Sequence, residues 1–360
     1  MNIPVRSALA LWGIMLLASP AAPQTSGSQP GASAWRLQQG ERGRPARGAP
    51  VPQQRPRPES FGAWQEDTYG PEEFPLAPGR TFQLVTVSGN VSITGANRNT
   101  VRVRAVKKVR HANRDAANAL LQNIEVRVTP RGGGIEVLTV QPAANAPIEV
   151  DYDIEVPSRA GVYLRSHGGS VRIHNVKGDL EAEVAGRFPG DLTLTSVGRV
   201  RSAKATLGSI TIDGSDGSEV KAEAMLNGDV LVRDVRRAEV IELRANTGAA
   251  TLINSLCDLC RASTVRGRID VSGPLKADSR YQLNSNFGEI RLAPADGPVG
   301  FDVEAVAAAG FKSDFQLREV QAAAPPRGTE IVRGVYGNGS AIISMRTFGR
   351  IRITKSTDPR

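Results

Sequence analysis

Cysteine is nearly missing from this chain of 360 residues: there are two, Cys257 and Cys260. Two thiols exclude a disulfide-dense scaffold and a four-cysteine zinc site. Histidine is almost as scarce, with only His111, His167 and His174. His167 and His174 bracket one repeat, but two histidines without a third ligand make a poor metal case, and all three read as turn or surface residues. Aromatic residues are 5% of the chain, too few for a wide aromatic-lined pocket. No segment offers the roughly 18 uninterrupted apolar residues of a membrane helix. There is no Gly-x-Ser-x-Gly nucleophile elbow, no phosphate-binding loop and no zinc-peptidase helix.

Glycine, by contrast, recurs with a period. About every twenty residues a glycine opens the same phrase of glycine, any residue, apolar, any residue, apolar. The copies begin at Gly169, Gly190, Gly208, Gly228, Gly248, Gly267 and Gly288, as in Gly208-Ser-Ile210-Thr-Ile212 and Gly267-Arg-Ile269-Asp-Val271. Between them runs a weaker alternating repeat, as in Val220-Lys-Ala-Glu-Ala-Met-Leu-Asn-Gly228 and Val240-Ile-Glu-Leu-Arg-Ala-Asn-Thr-Gly248. Alternation inside a fixed period signals stacked coils of two strands each. Equivalent strands then pair in parallel, and parallel connections are right-handed. The predicted fold is all-β: a right-handed parallel β-solenoid of about 20-residue two-strand coils, with β-rich caps and one short helix. Glycines are expected at corners needing positive φ, with Asn175, Asn227, Asp234 and Asn246 as further corner formers.

The ends divide the chain. Arg6, the apolar run Ala8–Ala18 and the small residues Ser19-Pro20-Ala21 have the three parts of a secretion signal. Residues 1–21 are therefore expected to be a signal peptide, with an uncleaved anchor as the other reading. Residues 22–79 are rich in Pro, Gly, Gln, Ser and Arg, a composition that cannot offset its ordering entropy, and are expected to be a disordered linker. The solenoid is placed at 80–355, with an N-terminal cap region at 80–160, regular coils at 161–295 and a C-terminal cap region at 296–355. An eighth phrase starts at Gly89, a late echo starts at Gly349, and Asp115–Asn123 reads as a helix capped by Asp115. Export leaves three destinations open: periplasm, cell surface or medium.

Four segments resemble the DUF4097 family of adhesin-like bacterial envelope proteins. They are Val87-Ser-Gly-Asn-Val-Ser-Ile-Thr-Gly95, the short helix running into Ile124-Glu-Val-Arg-Val128, Val150-Asp-Tyr-Asp-Ile-Glu-Val-Pro157, and the Gly-Asp-apolar phrase at Gly190 and Gly228. The resemblance implies an exported, noncatalytic head of stacked β-repeats used in adhesion or envelope stress, and carries no catalytic residues or cofactor. Gly248-Ala249 departs from the Gly-Asp pattern.

Three groups of residues are candidate sites. Cys257 and Cys260 in an exported chain suit a structural disulfide, with free thiols and a redox pair as alternatives; a redox pair needs a helix N-terminus, and these surroundings read as strand and corner. Arg102, Arg104, Lys107, Lys108 and Arg110 form a basic strip without an intervening acid. It would hold phosphate or carboxylate groups of an anionic envelope glycopolymer, or else it is an edge kept monomeric by charge. Asp179, Asp191, Asp213, Asp229, Asp234, Asp270 and Glu289 are the acids from which a polysaccharide-cleaving solenoid would draw its pair. A net charge of +9 adds attraction to polyanions. Export makes nucleic acid a poor partner. The leading expectation is a noncatalytic adhesin or envelope-interaction protein. An envelope-stress component acting through a protein partner and a polysaccharide-active enzyme are the alternatives.

Overall fold

A computed structural model describes residues 62–142, 147–323 and 328–356. The expected signal peptide and the linker up to residue 61 lie outside these described residues. The fold is the expected β-solenoid. Apart from one helix, the described elements are strands that form a 13-stranded and a 14-stranded sheet. Each glycine phrase supplies a strand to the first sheet, and each weaker repeat supplies one to the second. Coil after coil pairs in parallel and in register, as in Ile210, Val230, Ala250, Ile269 and Ile290.

Alternation decides which side chains go inside. In Val230–Arg233 the two valines are buried, whereas Leu231 is half-exposed and Arg233 exposed. The strand opposite buries Val220, Ala222 and Ala224. Full burial of a valine or leucine side chain contributes roughly 1.5–3 kcal/mol, and a coil gains it only when neighbours cover its open sides.

Glycine fixes the spacing of the coils. Gly89, Gly169, Gly190, Gly208, Gly228, Gly248, Gly267, Gly288 and Gly349 stand in one column; from Gly169 on, each is so close to the preceding glycine's carbonyl that a Cβ would collide with it, and at Gly89 the Val150 carbonyl takes that place. Within the column, positive φ is found only at Gly89, Gly169, Gly208 and Gly228. The corner-geometry explanation thus covers part of the column, and close backbone approach covers all of it. On the opposite corner the left-handed positions are held by Asn175, Ser196, Gly214, Asp234, Asn254 and Gly273. Asn227 and Asn246 lie just before Gly228 and Gly248, on the glycine corner, without a left-handed φ.

The stack does not follow chain order. Strands Thr81–Thr86 and Val91–Ala96 pair directly with Gly161–Ser166 and Val171–His174, so the Gly89 coil is continuous with the regular ones. Ala341–Thr347 and Ile351–Ile353 enter between the Gly288 coil and the strands Phe301–Ala307 and Phe311–Ser313. Both segments were expected in cap regions; both are coils. The ends are finished by antiparallel strands instead, notably Trp64–Pro75 on Thr100–Arg110 on Ile148–Pro157, and Arg318–Ala323 on Glu330–Tyr336 on Phe301–Ala307.

The linker also ends earlier than expected, because Trp64–Pro75 is an edge strand. Its side chains are mostly exposed, and acids rather than aliphatics face the neighbouring strand. The helix spans Arg114–Gln122 and is capped by Asn113, whose Oδ1 accepts from the N–H of Asp115 at 2.8 Å and Ala116 at 3.2 Å. Asp115 lies in its first turn, where a negative charge suits the helix dipole.

Candidate interaction surfaces

The basic strip lies on Thr100–Arg110, between two strands that carry acids. Arg102 has Glu73 opposite on one side and Glu155 on the other, the latter 3.5 Å away. Lys107 Nζ reaches Asp67 at 2.5 Å, and Lys108 Nζ reaches Asp151 at 2.9 Å and Glu66 at 3.6 Å. Arg110 donates from Nε to the Gly62 carbonyl at 3.0 Å. The hydrogen bond to Asp151 holds the Lys108 ammonium above the usual lysine pKa, against partial burial. Only Arg104, opposite Asp153, faces a hollow, of about 240 Å3, which it shares with Asn90, Asp151 and Arg172. Arg102, Lys107 and Lys108 of the strip are thus engaged in cross-strand ion pairs, because non-local strands bring acids the local sequence lacks.

The outward faces of the regular coils follow the same rule. In-register stacking puts equivalent side chains about 4.8 Å apart along the sheet, so like charges there would repel. Arg165, Glu183, Lys204, Glu223 and Arg244 occupy one register row with strictly alternating sign. Glu219 is held below the ordinary carboxylate pKa by the hydrogen bond from Lys221 and then that from Arg199, against partial burial.

The candidate acids serve the same framework. Asp191 Oδ1 accepts the N–H of Ser209 at 2.8 Å, and Asp229 Oδ1 accepts that of Ala249 at 2.7 Å, each bond joining one coil to the next. The departure at Ala249 is explained by this ladder, since at that step the position needs only to donate. Asp213 pairs with Arg233 at 2.5 Å, Asp270 with Arg268 at 2.8 Å and Glu289 with Arg352 at 3.0 Å, while Asp179 lies 3.5 Å from Arg201. Asp234 occupies a left-handed corner.

Cys257 and Cys260 face each other, both buried in the coil interior with Cα atoms 5.8 Å apart, a spacing that suits the expected disulfide. His167 Nδ1 is 3.1 Å from the Thr86 carbonyl and His111 Nδ1 accepts from the Asn113 N–H at 3.0 Å, both as turn residues. Among the described residues, no three His, Cys, Asp or Glu side chains come together as a metal site, and no helix is long and apolar enough to cross a membrane.

One surface escaped the sequence reading. Phe188, Met225, Leu226, Val265, Phe287 and Phe348 are all exposed, the three phenylalanines by 66–67%. Each lies one to three residues before a glycine of the column, so the stack gathers them along a single corner. Phe287 and Phe348, far apart in the chain, stack with ring centroids 6.0 Å apart. Arg187, Arg266 and Arg350 lie beside them and are exposed, without an ion pair among the described residues. The signal was present: an apolar residue just ahead of the phrase glycine, where a solvated corner calls for polar ones.

No protein-family model matches the chain, and no curated protein matches it. Among solved structures, a provisionally described adhesin of Bacteroides fragilis is 13% identical, covering 80% of this chain and 97% of its own, with a TM-score of 0.31. A provisionally described adhesin of Parabacteroides distasonis is 9% identical, covering 81% and 97%, with a TM-score of 0.38. A cell adhesion protein of Clostridium sporogenes, also provisionally described, is 10% identical, covering 81% and 100%, with a TM-score of 0.22. At such scores the likeness adds nothing to the argument from geometry.

Proposed function

We propose that this chain is a noncatalytic, exported interaction module of a bacterial envelope, adhesin-like, that meets its target along the apolar corner of the solenoid. The observation that carries the reading is the exposed row from Phe188 to Phe348. Exposed apolar side chains gathered in one row mark a contact surface rather than a folding requirement. The sequence resemblance to DUF4097 runs in the same direction. The seven acids, each engaged in a pair, a coil-to-coil bond or a corner, are better accounted for as framework than as a catalytic pair.

The test is binding of the secreted chain to bacterial cells, comparing the wild type with Phe287→Ser/Phe348→Ser. Both rings are exposed, so the variant should fold, and binding should fall severalfold. Unchanged binding would remove the corner from the account. Release of saccharide from envelope polymers by the purified chain would overturn the noncatalytic part.

A further inference from the structure

Across all the strand pairings of both sheets among the described residues, charged side chains in register face opposite charges or neutral groups, with two exceptions. Arg291 pairs in register with Arg352, and Arg352 with Lys312, on the adjacent strands Ile290–Pro294, Ile351–Ile353 and Phe311–Ser313. Three cations thus follow one another on the outward face of the 13-stranded sheet, spanning about 10 Å. Their local compensation is thin. Arg352 Nε lies 3.0 Å from Glu289 Oε1 but without hydrogen-bond geometry. Arg291 Nε has only the Thr354 hydroxyl, at 3.4 Å. Lys312 is exposed, and no ion pair joins it to nearby Asp314.

At Arg291 the row opens onto a groove of about 830 Å3, lined by Thr251, Asn254, Arg268, Asp270, Ser272 and Ser356 among others. Asp270 is taken by Arg268, at 2.8 Å. We propose that this groove and the row beyond it bind a linear acidic polysaccharide, with Arg291, Arg352 and Lys312 receiving successive negative groups. Like charges in register disfavour the empty face, and a bound polyanion relieves exactly that repulsion. Guanidinium forks suit carboxylate and phosphate alike. The hydroxyl and amide groups of Thr251, Asn254, Ser272 and Ser356 suit a sugar chain, and no aromatic ring lines the groove to stack bases as single-stranded nucleic acid would need.

This inference rests on the interaction reading above but uses other residues, so the two fail separately: Phe287→Ser/Phe348→Ser should leave it intact. The probes are polygalacturonate, polyphosphate and a single-stranded oligonucleotide, each titrated against the full mature chain at low and high salt. Arg291→Gln/Arg352→Gln should weaken polygalacturonate binding tenfold or more, with a shallower salt dependence. Should that pair disturb folding, Lys312→Gln on the exposed strand should weaken it about threefold, with the melting temperature unchanged or raised. Polyphosphate should bind more weakly than polygalacturonate and lose affinity in the same variants. Polygalacturonate affinity unchanged in these variants would overturn the site. Oligonucleotide or polyphosphate binding tighter than polygalacturonate would overturn the polysaccharide assignment.

Discussion

Both ends of the 13-stranded sheet carry a row of basic side chains, and they differ in what the neighbouring strands provide. At the N-terminal end Arg102, Lys107 and Lys108 are flanked by Glu66, Asp67, Glu73, Asp151 and Glu155. At the other end Arg352 is flanked by Arg291 and Lys312. The first row is longer and more conspicuous in the sequence, yet it is largely neutralised; the second is scattered over residues 291, 312 and 352 and meets only at the end of the stack. Local charge density is therefore a poor guide to a sheet's potential, because the neighbours of a strand are set by pairing across the chain.

The largest expected effect concerns the glycine column that carries both ends. Gly248→Ala, where φ is not left-handed but the Gly228 carbonyl blocks a Cβ, should cost about 3 kcal/mol or more in urea unfolding. Gly79→Ala, with φ of +79° and open space around it, should cost only about 1–2 kcal/mol. Equal costs would return the glycines to a corner role.

The next effect would turn one end into the other. Glu155→Gln removes the carboxylate shared by Arg98 and Arg102 and should destabilise by about 1 kcal/mol, as expected of partly exposed pairs. Combined with Asp67→Asn, it should raise the affinity of the N-terminal end for polygalacturonate. No gain would mean that removing the acids around a basic strand is not enough to make a site.

The pH dependence tests the ion pairs of the two sheets. Lys108 has a raised folded pKa, so its contribution is complete below the unfolded value of about 10.4 and is lost as pH rises through the folded value. Asp151→Asn should therefore flatten the alkaline limb of stability. Glu219, whose folded pKa is lowered, contributes above the unfolded value of about 4.3 and loses that contribution as pH falls through the folded value. Glu219→Gln should flatten the acid limb. The smallest effect is at the C-terminal row, where Lys312→Gln should stabilise by a few tenths of a kcal/mol at low ionic strength, about the size of an exposed charge interaction, and by nothing measurable in high salt.

What the sequence made legible was local. The phrase from Gly208 to Ile212 shows its strand, its buried face and its corner, because period and alternation are properties of a few adjacent residues. The acids of Trp64–Pro75 were hidden because that strand is held at an edge by ion pairs, with few aliphatics to announce it. The place of Gly349–Ile353 was hidden for a different reason: repeats reveal coils, and the order in which coils stack is a matter of topology. The closeness of Cys257 and Cys260 lay within reach of the sequence, since they are three residues apart and the chain's only cysteines. The apolar corner was in plain view at Phe287-Gly288 and Phe348-Gly349, and needed only the column to make it a row.

The contrast between the two ends is tested most directly by titrating polygalacturonate against Lys312→Gln and Lys107→Gln side by side at low ionic strength, with the Arg-rich N-terminal segment intact in both. The account predicts that Lys312→Gln weakens binding about threefold while Lys107→Gln leaves it at the wild-type level. Loss of affinity in Lys107→Gln with none in Lys312→Gln would contradict it.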